Sequence, residues 1–157
     1  MTNEQYLLLA VSAALLALLA TVIIIFIRKG NTPGPLDEME GHEFEDFCAN
    51  LLRECGYEDV RVTKGSRDFG IDILAERDGV SYGFQCKHYT SPVGVKAVQE
   101  TYAGRDYYDC MVGVVMANQY FTEPAEDAAA KLKILLWDRE DLEQMMDESE
   151  QPFKVST

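Results

Sequence analysis

Ile71-Asp72-Ile73-Leu74-Ala75-Glu76-Arg77-Asp78-Gly79-Val80-Ser81-Tyr82-Gly83-Phe84-Gln85-Cys86-Lys87-His88 reads as a β-hairpin, and its register decides the fold. The flanking runs 71–77 and 80–88 are rich in β-branched and aromatic residues, and Asp78-Gly79 is the preferred pair for a two-residue type I′ turn. That turn sets Arg77 opposite Val80, Ala75 opposite Tyr82, Ile73 opposite Phe84 and Asp72 opposite Gln85, with Lys87 on the diagonal. Asp72, Gln85 and Lys87 then share one face, while Ile71, Ile73, Ala75, Tyr82, Phe84 and Cys86 share the other. An acid, an amide and an amine converge within roughly 5 to 8 Å at Cβ. Taken alone, the trio fits either the solvated face of a half-buried hairpin or a catalytic site.

Gly41-His42-Glu43-Phe44-Glu45 stands upstream of this hairpin, Gly65-Ser66-Arg67-Asp68-Phe69-Gly70-Ile71-Asp72 leads into it, and Pro92-Val93-Gly94 follows it. With Gln85-Cys86-Lys87 they give the order G-x-E-F-E, G-S-x-D-x-G-x-D, Q-x-K, P-V-G. From about Glu40 to Leu142 this order resembles the catalytic domain of Mrr-type restriction endonucleases, within the PD-(D/E)xK nuclease superfamily. The resemblance implies an α/β (α+β) fold: a restriction-endonuclease-like core with a mixed central sheet flanked by helices. It also implies that Asp72 is the metal-binding acid, that Gln85 holds a position often taken by Glu or Asp, and that Lys87 is the motif lysine. Glu45 matches the acid that the first helix lends to the site.

The implied activity is hydrolysis of DNA phosphodiester bonds with Mg²⁺, or Mn²⁺ in its place. Asp72, Glu45, the Gln85 amide oxygen and the Cys86 backbone carbonyl form the implied ligand set, suited to a hard octahedral cation. Lys87 would orient the attacking water, help deprotonate it or steady the transition-state charge. DNA is the implied partner, and a homodimer or a separate DNA-recognition partner would supply specificity.

The chain has 157 residues, 47% of them hydrophobic, and a formal net charge of −13. That average argues against nucleic-acid binding, which usually leaves a basic footprint. Its distribution differs: residues 53–105 hold eight Lys/Arg and eight Asp/Glu, whereas 36–50 and 106–150 hold six and twelve acids against three bases in all. The acidity therefore lies largely away from the candidate site and predicts weak nonspecific DNA binding at physiological salt. Cys48, Cys55, Cys86 and Cys110 show no C-x-x-C spacing and read as buried thiols in a reducing compartment, not as a zinc site.

Residues 6–27 carry no charge, and 22 helical positions span about 33 Å against a hydrocarbon core of about 30 Å. They read as a transmembrane helix; the competing cleaved signal peptide fits less well, because Glu4 stands where a base is expected and the apolar run is long. Arg28 and Lys29 place residues 1–5 outside and the carboxy-terminal portion in the cytoplasm, giving a single-pass cell-membrane protein. A spacer, 28–38, with Gly30, Pro33, Gly34 and Pro35, leads to the nuclease-like domain, 39–147, and a flexible tail, 148–157.

Within that domain, Glu40 to Cys55 has helical periodicity with Gly56 as its cap, and Glu45 flanks the apolar stripe while Glu43 has no assigned role. Asp59 to Thr63 reads as a strand and Lys64 to Gly70 as a turn, in which Asp68 is a turn former or an acid behind the site. A helix runs from Val93 to Ala103 with Gly104 behind it, and its Lys96 faces either phosphate or solvent. Cys110 to Ala117 is a strand covered on both sides. Thr122 caps a helix to Lys133, Ile134 to Trp137 is the last strand, and Asp138 caps a helix to Met146. The expected order is α-β-β-β-α-β-α-β-α.

Two functions of different classes follow from this reading. One is a membrane-anchored, Mg²⁺-dependent DNA endonuclease; the alternative is a non-catalytic, membrane-tethered nucleic-acid-binding or assembly module that retains the nuclease fold.

Overall fold

A computed structural model describes residues 15–21, 35–63 and 69–150. In chain order its elements are a 3-10 turn (Pro35–Asp37), α1 (Gly41–Glu54), β1 (Glu58–Val62), β2 (Ile73–Arg77), β3 (Val80–Lys87), α2 (Val95–Tyr107), β4 (Val112–Ala117), α3 (Glu123–Leu132), β5 (Ile134–Trp137) and α4 (Arg139–Glu150). The five strands form one mixed sheet in the order β1-β2-β3-β4-β5. β1, β2 and β3 are antiparallel neighbours, whereas β3, β4 and β5 run parallel. The parallel pairs need crossovers, and α2 and α3 supply them.

Both faces of the sheet are covered. One core gathers Phe44, Cys48, Leu51 and Leu52 of α1 with Ile73, Phe84, Cys86, Val114, Met116 and Leu142. The second gathers Ala97 and Val98 of α2 with Val115, Ala117, Ala125, Ala129 and Ile134. Residues Gly83, Phe84, Gln85 and Cys86 of β3 are consequently all buried.

The Asp78-Gly79 turn sets the hairpin register expected from the sequence. Asp78 (φ +53°) and Gly79 (φ +75°) both take the positive φ that a type I′ turn requires. Arg77 pairs with Val80, Ala75 with Tyr82 and Ile73 with Phe84.

Above Ile73 the alternation breaks. Ile71 was expected on the same face as Ile73, yet its side chain fits between Gly83 of β3 and Gly104 of α2, on the opposite side from Ile73 and Phe84. Gly104 also departs from expectation: it is a buried position inside α2 and does not terminate it. A Cβ there would stand 2.5 Å from the Phe69 carbonyl oxygen and 2.7 Å from Ile71 Cγ1. Gly70 (φ +83°) makes the matching approach, since its Cβ would lie 2.8 Å from the Glu100 carbonyl oxygen. These two glycines let the segment before β2 press onto α2.

The expected spacer 28–38 yields its last residues to the fold. Leu36 is buried, and its carbonyl stands 2.8 Å from a His88 ring nitrogen. Asp37 pairs with the Arg139 guanidinium and lies 3.4 Å from Gln119 Nε2. At the other end α4 continues to Glu150, so 148–150 are helical where a flexible tail was expected. Glu43, unassigned from the sequence, closes the start of α1 by accepting the Glu40 amide hydrogen at 2.8 Å.

The amino-terminal residues form a separate unit, 1–34, from the unit Pro35–Thr157. Of the expected 6–27 span, residues 15–21 are described; they are helical, with Leu15, Leu16, Leu18 and Leu19 exposed. Among the described residues no helix is long and apolar enough to cross a membrane. The tail 1–5, the rest of the span, residues 28–34 of the spacer, residues 64–68 with Asp68, and 151–157 lie outside the described residues.

Gly104→Ala is expected to cost about 1 to 3 kcal/mol through overpacking against Phe69 and Ile71. Gly41→Ala, with nothing within 4 Å of the added methyl, is expected to stay within about 0.5 kcal/mol of the wild type. Urea denaturation of both variants checks the contrast, and equal stability would contradict the close approach.

Candidate active site

The site forms where the β2–β3 ladder ends. Beyond the Ile73–Phe84 pair, the Asp72 amide donates to the Phe84 carbonyl at 2.7 Å, and the Asp72 carbonyl accepts from Thr63 at 2.8 Å. The Asp72 side chain then replaces a backbone partner: its Oδ2 accepts the Cys86 amide hydrogen at 2.7 Å. A charge-assisted bond of this length is among the stronger ones available to a carboxylate. It holds Asp72 against β3 one residue from Gln85 and one from Lys87.

Gln85 and Lys87 both turn toward α2. Gln85 is only 3% exposed, and both ends of its amide are engaged. Its Oε1 lies 3.0 Å from the Thr101 hydroxyl, and its Nε2 donates to Glu100 Oε2 at 3.1 Å. Lys87 Nζ donates to the same Glu100 oxygen at 3.2 Å, while Lys96 Nζ stands 3.4 Å from Glu100 Oε1. Burial pushes the Glu100 carboxyl upward, but its bonds from Lys87 and Gln85 and the charges of Lys87 and Lys96 outweigh that, leaving it below the usual carboxylate range. Among the described residues, no buried side-chain nitrogen or oxygen lacks a hydrogen-bond partner.

Glu45 lies on α1 with its side chain 29% exposed and His42 Nδ1 at 3.7 Å. The Cys86 thiol lies on the face of β3 that α1 covers. That thiol is pushed well above its usual range by a hydrogen bond with Cys48 first, by burial next, and then by the negative charges of Cys48, Asp72 and Glu45. All four cysteines are unbridged thiols, as the sequence suggested.

By chemistry the implied ligand set fits a hard divalent cation: the Asp72 and Glu45 carboxylates and the Cys86 carbonyl are oxygen ligands of the type Mg²⁺ selects. Gln85 fits less well than the sequence implied, because its oxygen packs against the Thr101 hydroxyl, whose single hydrogen is shared between Gln85 Oε1 and the Ala97 carbonyl, and a cation would have to displace that hydroxyl. Among the described residues, no group of three or more His, Cys, Asp and Glu side chains stands ready to hold a metal ion.

Glu100 was not marked as a site residue by its sequence. With Lys96 four positions earlier, it reads as an ordinary exposed helix pair. The available signal was positional, since Glu100 lies three residues after buried Ala97 and four before buried Gly104. That spacing puts it on the helix face that packs against the sheet.

Comparisons with known proteins agree with this architecture. The restriction endonuclease (Mrr_cat) family model matches residues 36–146. Among solved structures, the protein of unknown function AF1548 is 27% identical with a TM-score of 0.54, covering 66% of this chain and 65% of its own. The DNA modification-dependent restriction endonuclease AspBHI is 17% identical with a TM-score of 0.56, covering 75% of this chain and 36% of its own. MspJI restriction endonuclease, solved in complex with a 27-mer oligonucleotide, is 19% identical with a TM-score of 0.54, covering 80% of this chain and 30% of its own. The chain therefore spans about two thirds of the first structure's length and about a third of the other two. No curated protein matches it.

Asp72→Ala is expected to destabilise the protein by about 1 to 3 kcal/mol, because it strands the Cys86 amide hydrogen where the ladder has ended. Asp72→Asn keeps an oxygen acceptor and is expected to lose less. Chemical denaturation ranks the variants, and an alanine variant as stable as the wild type would contradict the assigned bond.

Proposed function

Because residues 36–146 belong to the restriction endonuclease family, we propose that this chain is a metal-dependent DNA endonuclease working at Asp72, Lys87, Glu45 and Gln85. One observation carries the reading: the Asp72 carboxylate is pinned to the Cys86 amide beside Lys87. That bond holds Asp72 at the end of β3 that carries Lys87, which supports taking the two as the family's acid and lysine.

Hydrolysis requires water to attack phosphorus while the opposite P–O bond breaks, and negative charge builds on the phosphoryl oxygens. Mg²⁺, or Mn²⁺, held by Asp72, Glu45 and the Cys86 carbonyl would lower the pKa of water and neutralise that charge. The Cys86 amide orients Asp72 before substrate arrives, so no reorganisation is needed at the moment of reaction. Lys87, two residues after Gln85 on β3, stabilises the developing charge or positions the water through its ammonium group. Gln85 supports the site through its bonds to Thr101 and Glu100 and adds no charge of its own.

The uncharged run 6–27 anchors the chain in the cell membrane as a single pass, with the nuclease domain on the cytoplasmic side. The neutral stretch 53–105 meets DNA, while the acidic flanks keep nonspecific binding weak. A second copy or a DNA-reading partner supplies a second cut or the target preference.

A second reading, a tethered DNA-binding or assembly module without turnover, draws on the internal satisfaction of Gln85, whose amide is occupied at both ends.

Cleavage of plasmid and oligonucleotide duplexes by the purified full chain separates the two readings. Nicking that needs Mg²⁺ or Mn²⁺ and falls by at least about 100-fold in Asp72→Asn and Lys87→Ala supports the endonuclease. Absence of cleavage across both metals, with equal DNA retention by wild type and Asp72→Asn, would overturn it. Retention of the full chain in membranes through alkaline carbonate extraction checks the anchor, and its release would remove that part of the reading.

A further inference from the structure

The sequence motif leaves a gap in charge. Position 85 holds a neutral amide, so the β3 element offers Lys87 no carboxylate two residues away. The structure places one there from another element. Glu100 of α2 brings Oε2 to 3.1 Å from Gln85 Nε2 and 3.2 Å from Lys87 Nζ. A single carboxylate oxygen thus bridges both motif side chains.

The surroundings hold it in that position. The Thr101 hydroxyl, fully buried, lies against Gln85 Oε1 and so turns the amide nitrogen toward Glu100. Gly70, two residues before Asp72, packs on the Glu100 backbone at a distance that admits no side chain. Lys96, one helical turn earlier, faces the other carboxylate oxygen at 3.4 Å. The Lys96 contact is itself an exposed pair of the kind that contributes little; the hold on Glu100 comes from Gln85 and from the packing of Gly70.

We propose that Glu100 is a positioning residue that holds the Lys87 ammonium for catalysis and carries the negative charge that position 85 lacks. This deepens the endonuclease reading and rests on it. Gln85 and Glu100 then form a matched set. With an acid at 85 and Glu100 unchanged, two carboxylates would stand about 3 Å apart, an arrangement in which one must give up its charge. With amides at both positions, Lys87 keeps no anionic partner on this side. Only one acid between the two positions satisfies the site, and in this chain it sits on the helix.

The test is a four-way comparison in the full chain: wild type, Glu100→Gln, Gln85→Glu, and the double exchange Gln85→Glu/Glu100→Gln. DNA cleavage and thermal unfolding without DNA are measured for each. Glu100→Gln is expected to lower kcat by about 100-fold with KM within about threefold of the wild type. Gln85→Glu is expected to lower both kcat and Tm through carboxylate repulsion. The double exchange is expected to recover at least tenfold of the kcat lost in Glu100→Gln and to restore the Tm lost in Gln85→Glu. Glu100→Asp, which keeps the charge on a shorter arm, is expected to retain part of the activity.

If the wild type cleaves and Glu100→Gln cleaves at the wild-type rate, the positioning role is overturned while the endonuclease reading stands. It is overturned equally if the double exchange is no better than the worse single variant in either measurement. A wild type that cleaves no DNA overturns the endonuclease reading and the positioning role of Glu100 with it, even where the Tm values still show the two positions to be coupled.

Discussion

One carboxylate oxygen of Asp72 takes a backbone amide hydrogen that the sheet does not satisfy, and the rest of the site follows from that substitution. β3 lies between β2 and β4 with helices on both faces, so each polar group along its buried middle needs an internal partner. Through Ile73 and Phe84 the hairpin ladder provides partners by register. At Cys86 the partner is the Asp72 side chain, 2.7 Å away. The bond terminates a strand pair and also fixes the Asp72 carboxylate at the end of β3, so one contact serves folding and the candidate chemistry alike.

The same constraint explains Gln85. An amide buried to 3% exposure has to be bonded at both ends, and α2 meets that requirement with Thr101 on the oxygen and Glu100 on the nitrogen. α2 can come that close because Gly104 and Gly70 remove side chains where the backbone before β2 meets the helix. The packing of two glycines thereby determines which side chains reach the end of β3.

Much of the fold was legible in the sequence because local signals were strong. Asp78-Gly79 specified the turn, the turn specified the register, and the apolar run before Ala117 announced a strand buried on both sides. Thr122 and Asp138 marked helix starts. Other features depended on contacts between distant segments and left no local trace. Ile71 alternates correctly on paper, yet the break at Asp72 sends it to the α2 side. Gly104 looked like a helix terminator because a glycine after an apolar stripe usually is one; its reason for being there is Phe69, 35 positions earlier. Glu100 carried no local signal, and only the position of Gln85 and Lys87 across the helix–sheet contact shows what it faces. The hairpin that carries Asp72, Gln85 and Lys87 was readable through register and motif order, whereas the Glu100 carboxylate facing Gln85 and Lys87 required the tertiary structure.

The proposed chemistry depends on Asp72 being oriented by the Cys86 amide at the end of β3. Anomalous diffraction from crystals of the protein soaked in Mn²⁺ tests that orientation without recourse to activity. A manganese peak is expected within about 2.3 Å of an Asp72 oxygen, shared with Glu45 or the Cys86 carbonyl, with the Asp72–Cys86 bond intact. A peak elsewhere, or an Asp72 carboxylate turned away from the Cys86 amide, would contradict it.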